Sequence, residues 1–148
     1  MELPTPFRFP TGLDALLGLE ITEVENGHVR AELPVRPEIL QPLGLVHGGV
    51  YAAVAESIAS TGTYVGVGDE RAIVMGLSNL TSFLRPIAEG TVHASAQARH
   101  RGRTTWVWEV DLLDDAERLC AASRVTIAVR RPRPDAPPRA DGSGAPRG

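Results

Sequence analysis

Between residues 41 and 60 the chain reads QPLGLVHGGVYAAVAESIAS, and two features of that stretch could do chemistry. The first is Glu56, the only charged side chain from Val50 to Ser60. A lone glutamate on a helix is ordinarily a solvated charge. Among small apolar neighbours, however, a carboxylate is costly to bury unless it is satisfied or used. In an apolar crevice its pKa rises, and the group can act as base or nucleophile. The second feature is the run His47, Gly48, Gly49. At a helix start, such glycines leave backbone N–H groups unpaired and unshielded. Donors of this kind polarise a carbonyl and hold the oxyanion that develops on it. The same glycines would equally serve a tight turn, and His47 could be a base, a metal ligand or a structural hydrogen bonder. No zinc site is expected, because the chain has four histidines and no HxH or HExxH pattern.

Other polar candidates are Gln41, Ser60, Asn79 and Thr81, and then GRTT at 102–105. Arg103, Thr104 and Thr105 form a turn that could hold phosphates, although a turn Arg–Thr pair is more often ordinary surface. There is no Walker motif and no GxGxxG, and GLSNL lacks the second glycine of a serine nucleophile elbow.

These residues need elements to hold them. Residues 48 to about 64 form the one convincing long helix, free of proline, with Val50, Val54, Ile58 and Val65 in one stripe. Glu56 falls on roughly the opposite side with Gly49, Ala52, Ala53 and Ser60, a bare face that suits a partner subunit or a thin ligand. Gly48 and Glu56 are eight residues apart, which a helix converts to about 12 Å. Both can work on one carbonyl only if two helices run antiparallel across a two-fold axis, giving two composite sites per dimer.

Around the helix the pattern is mostly β. TGLDALLG predicts a short helix capped by Thr11, with Asp14 three residues on. LEITEV and HVRAELPV, joined through Asn26-Gly27, predict a hairpin. Period-two alternation follows through Ile73, Met75 and Leu77, then Val92, Ala94 and Ala96, then Trp106, Trp108, Val110 and Leu112, then Leu119 to Val129. HRGRT and DDAE read as hairpin turns between the last three strands. The fold class is α+β, a curved antiparallel sheet around one long central helix, with oligomerisation covering what one helix cannot. Residues 1–130 make the domain; 131–148, with five prolines, read as a disordered tail.

The composition, 43% apolar and 22% charged over 148 residues, is globular. The tail carries a net charge of +2, leaving residues 1–130 near −5, which argues against a nucleic-acid face. No run reaches the ~20 apolar residues of a bilayer helix. The start lacks a signal-peptide pattern, so a cytoplasmic location is expected. The single cysteine, Cys120, suits a reducing compartment and reads as a buried small residue.

QPLGLVHGGVYAAVAES from Gln41, SNLTSFLRPIAEG from Ser78, GRTTWVWEVDLLDDAERLCA from Gly102 and the segment Ile127–Pro134 together resemble hotdog-fold PaaI-like acyl-CoA thioesterases. Within that group they are most similar to the Arthrobacter-type 4-hydroxybenzoyl-CoA thioesterases. The resemblance implies a homotetramer of two dimers with active sites at each dimer interface. It assigns Gly48 as backbone donor to the thioester carbonyl and Glu56 of the opposing subunit as nucleophile or general base. Gln41 would support the carbonyl end, His47 would organise the site, and Ser60 would meet the water or the acyl ring. Arg103, Thr104 and Thr105, with Asn79 and Arg85, would contact coenzyme A, which is substrate rather than cofactor; no cofactor or metal is implied. Serine at 60 replaces the relatives' threonine, and Arg103 a smaller hydroxyl residue, which leaves ring recognition open. Enzymes of the 1,4-dihydroxy-2-naphthoyl-CoA type fit the motifs almost as well, whereas Trp106, Trp108 and the C-terminal segment favour the 4-hydroxybenzoyl type. A broad-range thioesterase, a non-catalytic acyl-CoA-binding module and a dehydratase are the remaining readings.

Overall fold

A computed structural model describes residues 3–25 and 27–131. The tail from 132 onward and Asn26 of the Asn-Gly turn lie outside the described residues. In chain order the elements are β1 (Phe7–Arg8), α1 (Gly12–Leu17), β2 (Glu20–Glu25), β3 (His28–Pro34), a 3-10 turn (Pro37–Ile39) and α2 (Gly48–Val67). Four long strands follow: β4 (Ile73–Phe83), β5 (Thr91–Arg101), β6 (Thr105–Leu113) and β7 (Leu119–Arg130). Among the described residues the strands form one antiparallel sheet in the order β1-β2-β3-β5-β6-β7-β4, with α2 packed against its inner face. This is the hotdog arrangement of sheet around helix.

The inner face is set by alternation. Val92, Ala94 and Ala96 of β5, Trp106, Trp108, Val110 and Leu112 of β6, and Ala121, Ser123, Val125, Ile127 and Val129 of β7 are all buried. Against them α2 turns Tyr51, Val54, Ala55, Ile58, Ala59 and Gly62. Two glycines let the helix come this close. A Cβ at Gly62 would stand 2.5 Å from Trp108 and 2.6 Å from Val29, and one at Gly66 would stand 2.6 Å from Trp106. The two indoles lie 5.9 Å apart and nearly parallel. Trp108 Nε1 donates to Thr63 Oγ1 at 2.9 Å, and Thr63 Oγ1 donates back to the Ala59 carbonyl at 2.8 Å, so the buried polar groups close among themselves. The tryptophans are thus core residues.

Three local expectations change. Thr11 precedes α1 with extended backbone but makes no side-chain cap; Asp14 instead accepts from Ser57 Oγ at 2.6 Å, tying α1 to α2. The long helix runs three residues further, to Val67, before Gly68 ends it with φ +65°. Alternation also breaks in β4 at a bulge between Gly76 and Ser78. Val74 and Gly76 face inward before the bulge, opposite Val129 and Ile127; Asn79, Thr81 and Phe83 face inward after it, opposite Val125, Ser123 and Ala121. Met75 and Leu77 do not join the core, and neither does Leu80, which is 74% exposed.

The β6–β7 hairpin is held by Asp114, whose carboxylate accepts from the N–H groups of Ala116 and Arg118 and pairs with the Arg118 guanidinium at 2.7 Å. The Arg118 hydrogen bonds hold the Asp114 carboxyl below its ordinary pKa. A lowered folded-state pKa stabilises fully above the unfolded value and fades as pH falls through the folded one. Asp114→Asn is therefore expected to lower Tm at pH 7, with the difference from wild type closing in acid below the usual carboxylate range. Thermal melts from pH 7 to 3 read it out; a pH-independent difference would remove the charge from this account. Gly62→Ala should cost about 1–3 kcal/mol through overpacking, checked by chemical denaturation.

Candidate active site

The chain enters α2 through a compact turn. Gln41 N–H donates to the Leu45 carbonyl at 2.8 Å and Gly44 N–H to the Gln41 carbonyl at 2.9 Å, with Gly44 at φ +77°. The Gln41 side-chain oxygen accepts from Leu43 N–H at 2.6 Å, which leaves its amide NH2 to donate elsewhere. Val46 N–H donates to the Ile87 carbonyl and His47 N–H to the Ile39 carbonyl, fixing the approach to the helix.

His47 is the N-cap of α2, and its Nδ1 accepts from Gly49 N–H at 2.9 Å. In a neutral ring the proton then sits on Nε2. Val50 N–H donates to the His47 carbonyl, so two of the first three helical donors are satisfied. Among the described residues nothing accepts from Gly48 N–H. The first turn contains no acidic residue, so the positive end of a 20-residue helix is not offset there.

That donor opens on a cleft of about 330 Å³ lined by Gln41, Leu45, Val46, Gly48, Tyr51 and the segment from Phe83 to Pro86. Gly48 is in contact with Phe83, since a Cβ there would lie 2.9 Å from the ring. The Phe83 and Tyr51 ring centroids are 6.2 Å apart. Arg85 lines the same cleft and donates from Nη1 to the Leu119 carbonyl at 3.1 Å. Sequence reasoning missed Tyr51 and Phe83. Tyr51 is 3% exposed, and among the described residues no group stands within full hydrogen-bond geometry of its hydroxyl, the Ile87 backbone acting on it only weakly. Burial, with a smaller contribution from Cys120, pushes its pKa up to about 12, so it is a neutral donor throughout the physiological range. Cys120 is buried as expected, and burial pushes its thiol up as well.

Glu56 lies two turns further along α2 and is exposed. A single chain therefore does not supply the apolar crevice expected around it. Its carboxylate rests against Gly76 of β4. Ser60, one turn on, is half-buried. Asn79 lies between the two ends of the helix, donating to the Ala52 carbonyl at 2.8 Å while its oxygen accepts from Thr81 at 2.7 Å. These bonds make Asn79 a clasp between β4 and α2.

Arg103, Thr104 and Thr105 sit at the β5–β6 turn, apart from the residues that line the cleft. The end of β7 comes to the same place: Arg131 Nη1 donates to the Arg103 carbonyl at 2.7 Å and Arg130 Nη1 to the Thr104 carbonyl at 3.4 Å. Arg101 stacks over Trp106 at 4.7 Å beside the turn. The fold thus gathers arginines 101, 103, 130 and 131, whose separation in sequence concealed the cluster.

Residues 43–121 match the family model of the thioesterase superfamily. A candidate esterase of Mycobacterium tuberculosis is 40% identical over 90% of this chain and 96% of its own length. The solved structure of that protein superposes with a TM-score of 0.78 over 82% of this chain and 98% of that one. A Listeria monocytogenes 1,4-dihydroxy-2-naphthoyl-CoA hydrolase is 39% identical over 82% of this chain and 98% of its own. The Escherichia coli PaaI protein, at 23% identity and TM-score 0.69 over 76% of this chain and 80% of that one, shares the fold. The chain belongs to the thioesterase superfamily and is a thioester hydrolase.

Proposed function

We propose that this enzyme hydrolyses an aromatic acyl-CoA to the free acid and coenzyme A, at composite sites shared between two subunits. The observation that carries the reading is the unaccepted Gly48 N–H at the start of α2, facing the Gln41–Phe83 cleft, with exposed Glu56 about 12 Å down the same helix. In an antiparallel pair of helices, Gly48 of one chain meets Glu56 of the other. The edge that would bring them together is β4. Among the described residues it is paired on one side only, and it carries exposed Met75, Leu77, Leu80 and Phe83, an arrangement a folded chain ordinarily covers.

In chemical terms, the Gly48 N–H and the Gln41 amide draw electron density onto the thioester oxygen. Glu56 of the partner subunit either attacks the carbonyl carbon or takes a proton from the water that does. The C–S bond then breaks and the pair leaves with sulfur, which as a thiolate of a group with pKa ~8.5 needs no strong acid. Where Glu56 itself attacked, water then cleaves the acyl–Glu56 anhydride, releasing the acid and restoring the carboxylate. His47 holds the turn, and Ser60 lies one turn beyond the carboxylate. The Arg103–Thr105 turn, with Arg130 and Arg131 beside it, suits the phosphates of coenzyme A.

Two acyl groups compete. The sequence motifs, Trp106 and Trp108 among them, favour 4-hydroxybenzoyl. The Listeria relative favours 1,4-dihydroxy-2-naphthoyl. A steady-state panel following thiol release should give a preference of about 100-fold, or ~2.7 kcal/mol, for one hydroxylated aryl-CoA over acetyl- and hexanoyl-CoA. Equal rates on all would make the enzyme broad-range.

The composite site has its own test. Gly48→Pro deletes the donor where a helix accepts proline, and His47, at φ −64° and ψ 133°, already has the backbone a following proline requires. Gly48→Ala, which keeps the N–H but meets the Phe83 ring in the same way, is the steric control. Gly48→Pro and Glu56→Gln should each lose at least 100-fold in kcat. Unfolding and refolding the two together should recover about a quarter of wild-type turnover, since half the dimers then contain one intact site in two. No recovery from folded mixed dimers would mean that the two residues serve the same subunit.

A further inference from the structure

The glycine at position 76 sits on the inner face of β4, just before the bulge, against the carboxylate of Glu56. A Cβ there would stand 2.4 Å from Glu56 Oε1, 3.0 Å from Cδ and 3.6 Å from Cγ. Backbone conformation does not demand this glycine, for its φ is not in the left-handed range that Gly12, Gly18, Gly27, Gly44, Gly68 and Gly90 adopt. Space does. The strand is also held in place here: Asn79, the next inward residue after the bulge, donates to the Ala52 carbonyl one turn before Glu56. Had alternation run unbroken from Gly76, Ser78 and Leu80 would face the helix instead.

We propose that Gly76 is a positioning residue for Glu56: its missing side chain is the slot in which the carboxylate lies, and the adjoining bulge aims that slot at α2. The inference rests on Glu56 as the reacting carboxylate. A methyl group at 76 pushes the carboxylate out by about 1 Å, because 3.4 Å is an ordinary contact and 2.4 Å is not. A glutamate tip is flexible and yields readily, so the change displaces the reacting group more than it disturbs the strand. A displacement of that size costs on the order of 100-fold when the attack geometry matters.

The test is a double-mutant cycle on the intact protein with the preferred acyl-CoA. Gly76→Ala should lower kcat about 30- to 100-fold with KM within threefold of wild type. Glu56→Asp withdraws the carboxylate by one methylene, so in that background Gly76→Ala should cost less than threefold. Equal losses in both backgrounds overturn the proposal. Melting temperatures give a second reading that needs no activity. Any destabilisation by Gly76→Ala should vanish in the Glu56→Ala chain; if it persists there undiminished, glycine serves the strand alone and the slot is refuted. Failure of the underlying reading has a different signature: a folded Glu56→Ala chain with undiminished turnover.

Discussion

A twenty-residue helix can lie in the trough of a curled sheet only where its backbone comes close enough to shut out water, and here that approach depends on two glycines under two tryptophans. Gly62 and Gly66 give up their side chains so that the six-membered rings of Trp108 and Trp106 can come up against the backbone of α2. Small residues on the neighbouring strands, Ala31, Ala94 and Ala96, keep the floor low. Interiors pack at crystal-like density, so such contact defines the helix position closely. Everything chemical in the molecule follows from where that helix is held. Its first N–H reaches the Gln41–Phe83 cleft, and its bare side faces β4.

The edge strand supplies the other half of the arrangement. Its inward residues track α2 in antiparallel order, Phe83 beside Gly48, Asn79 beside Ala52 and Gly76 beside Glu56. The bulge makes this alignment possible by shifting the phase of alternation in mid-strand. Met75, Leu77 and Leu80 stay exposed on the outer side of the same strand. The same strand thus carries both the register against α2 and an exposed apolar edge.

Electrostatics reinforce this geometry. With no acid in the first turn, the positive end of α2 is kept for whatever enters the cleft, and the nearest carboxylate on that face waits two turns away. Tyr51 adds a buried, neutral hydroxyl to the lining of the cleft.

The central helix, its histidine-glycine start, the lone Glu56 and the late hairpins were all legible in the sequence, because each is written in local pattern: period, turn residues, or charge against apolar neighbours. The hairpin around Gly27 was legible for the same reason. Other features depended on elements brought together from afar. The bulge at Gly76 leaves no trace in a two-residue period, so the phase change that turns Asn79, Thr81 and Phe83 inward could not be read there. Thr11 and Asp14 read as a capping pair because Ser57, 43 residues beyond Asp14, could not be seen beside it. Trp106 and Trp108 were legible as one strand face, but not their packing against the glycines of α2. Arginines 130 and 131 joined the phosphate-sized turn only when β7 paired alongside β6. Sequence by itself determined which residues could do chemistry and how far apart a helix would set them; only tertiary structure decided which were already engaged, since hydrogen bonds and packing act between neighbours in space, not neighbours in the chain.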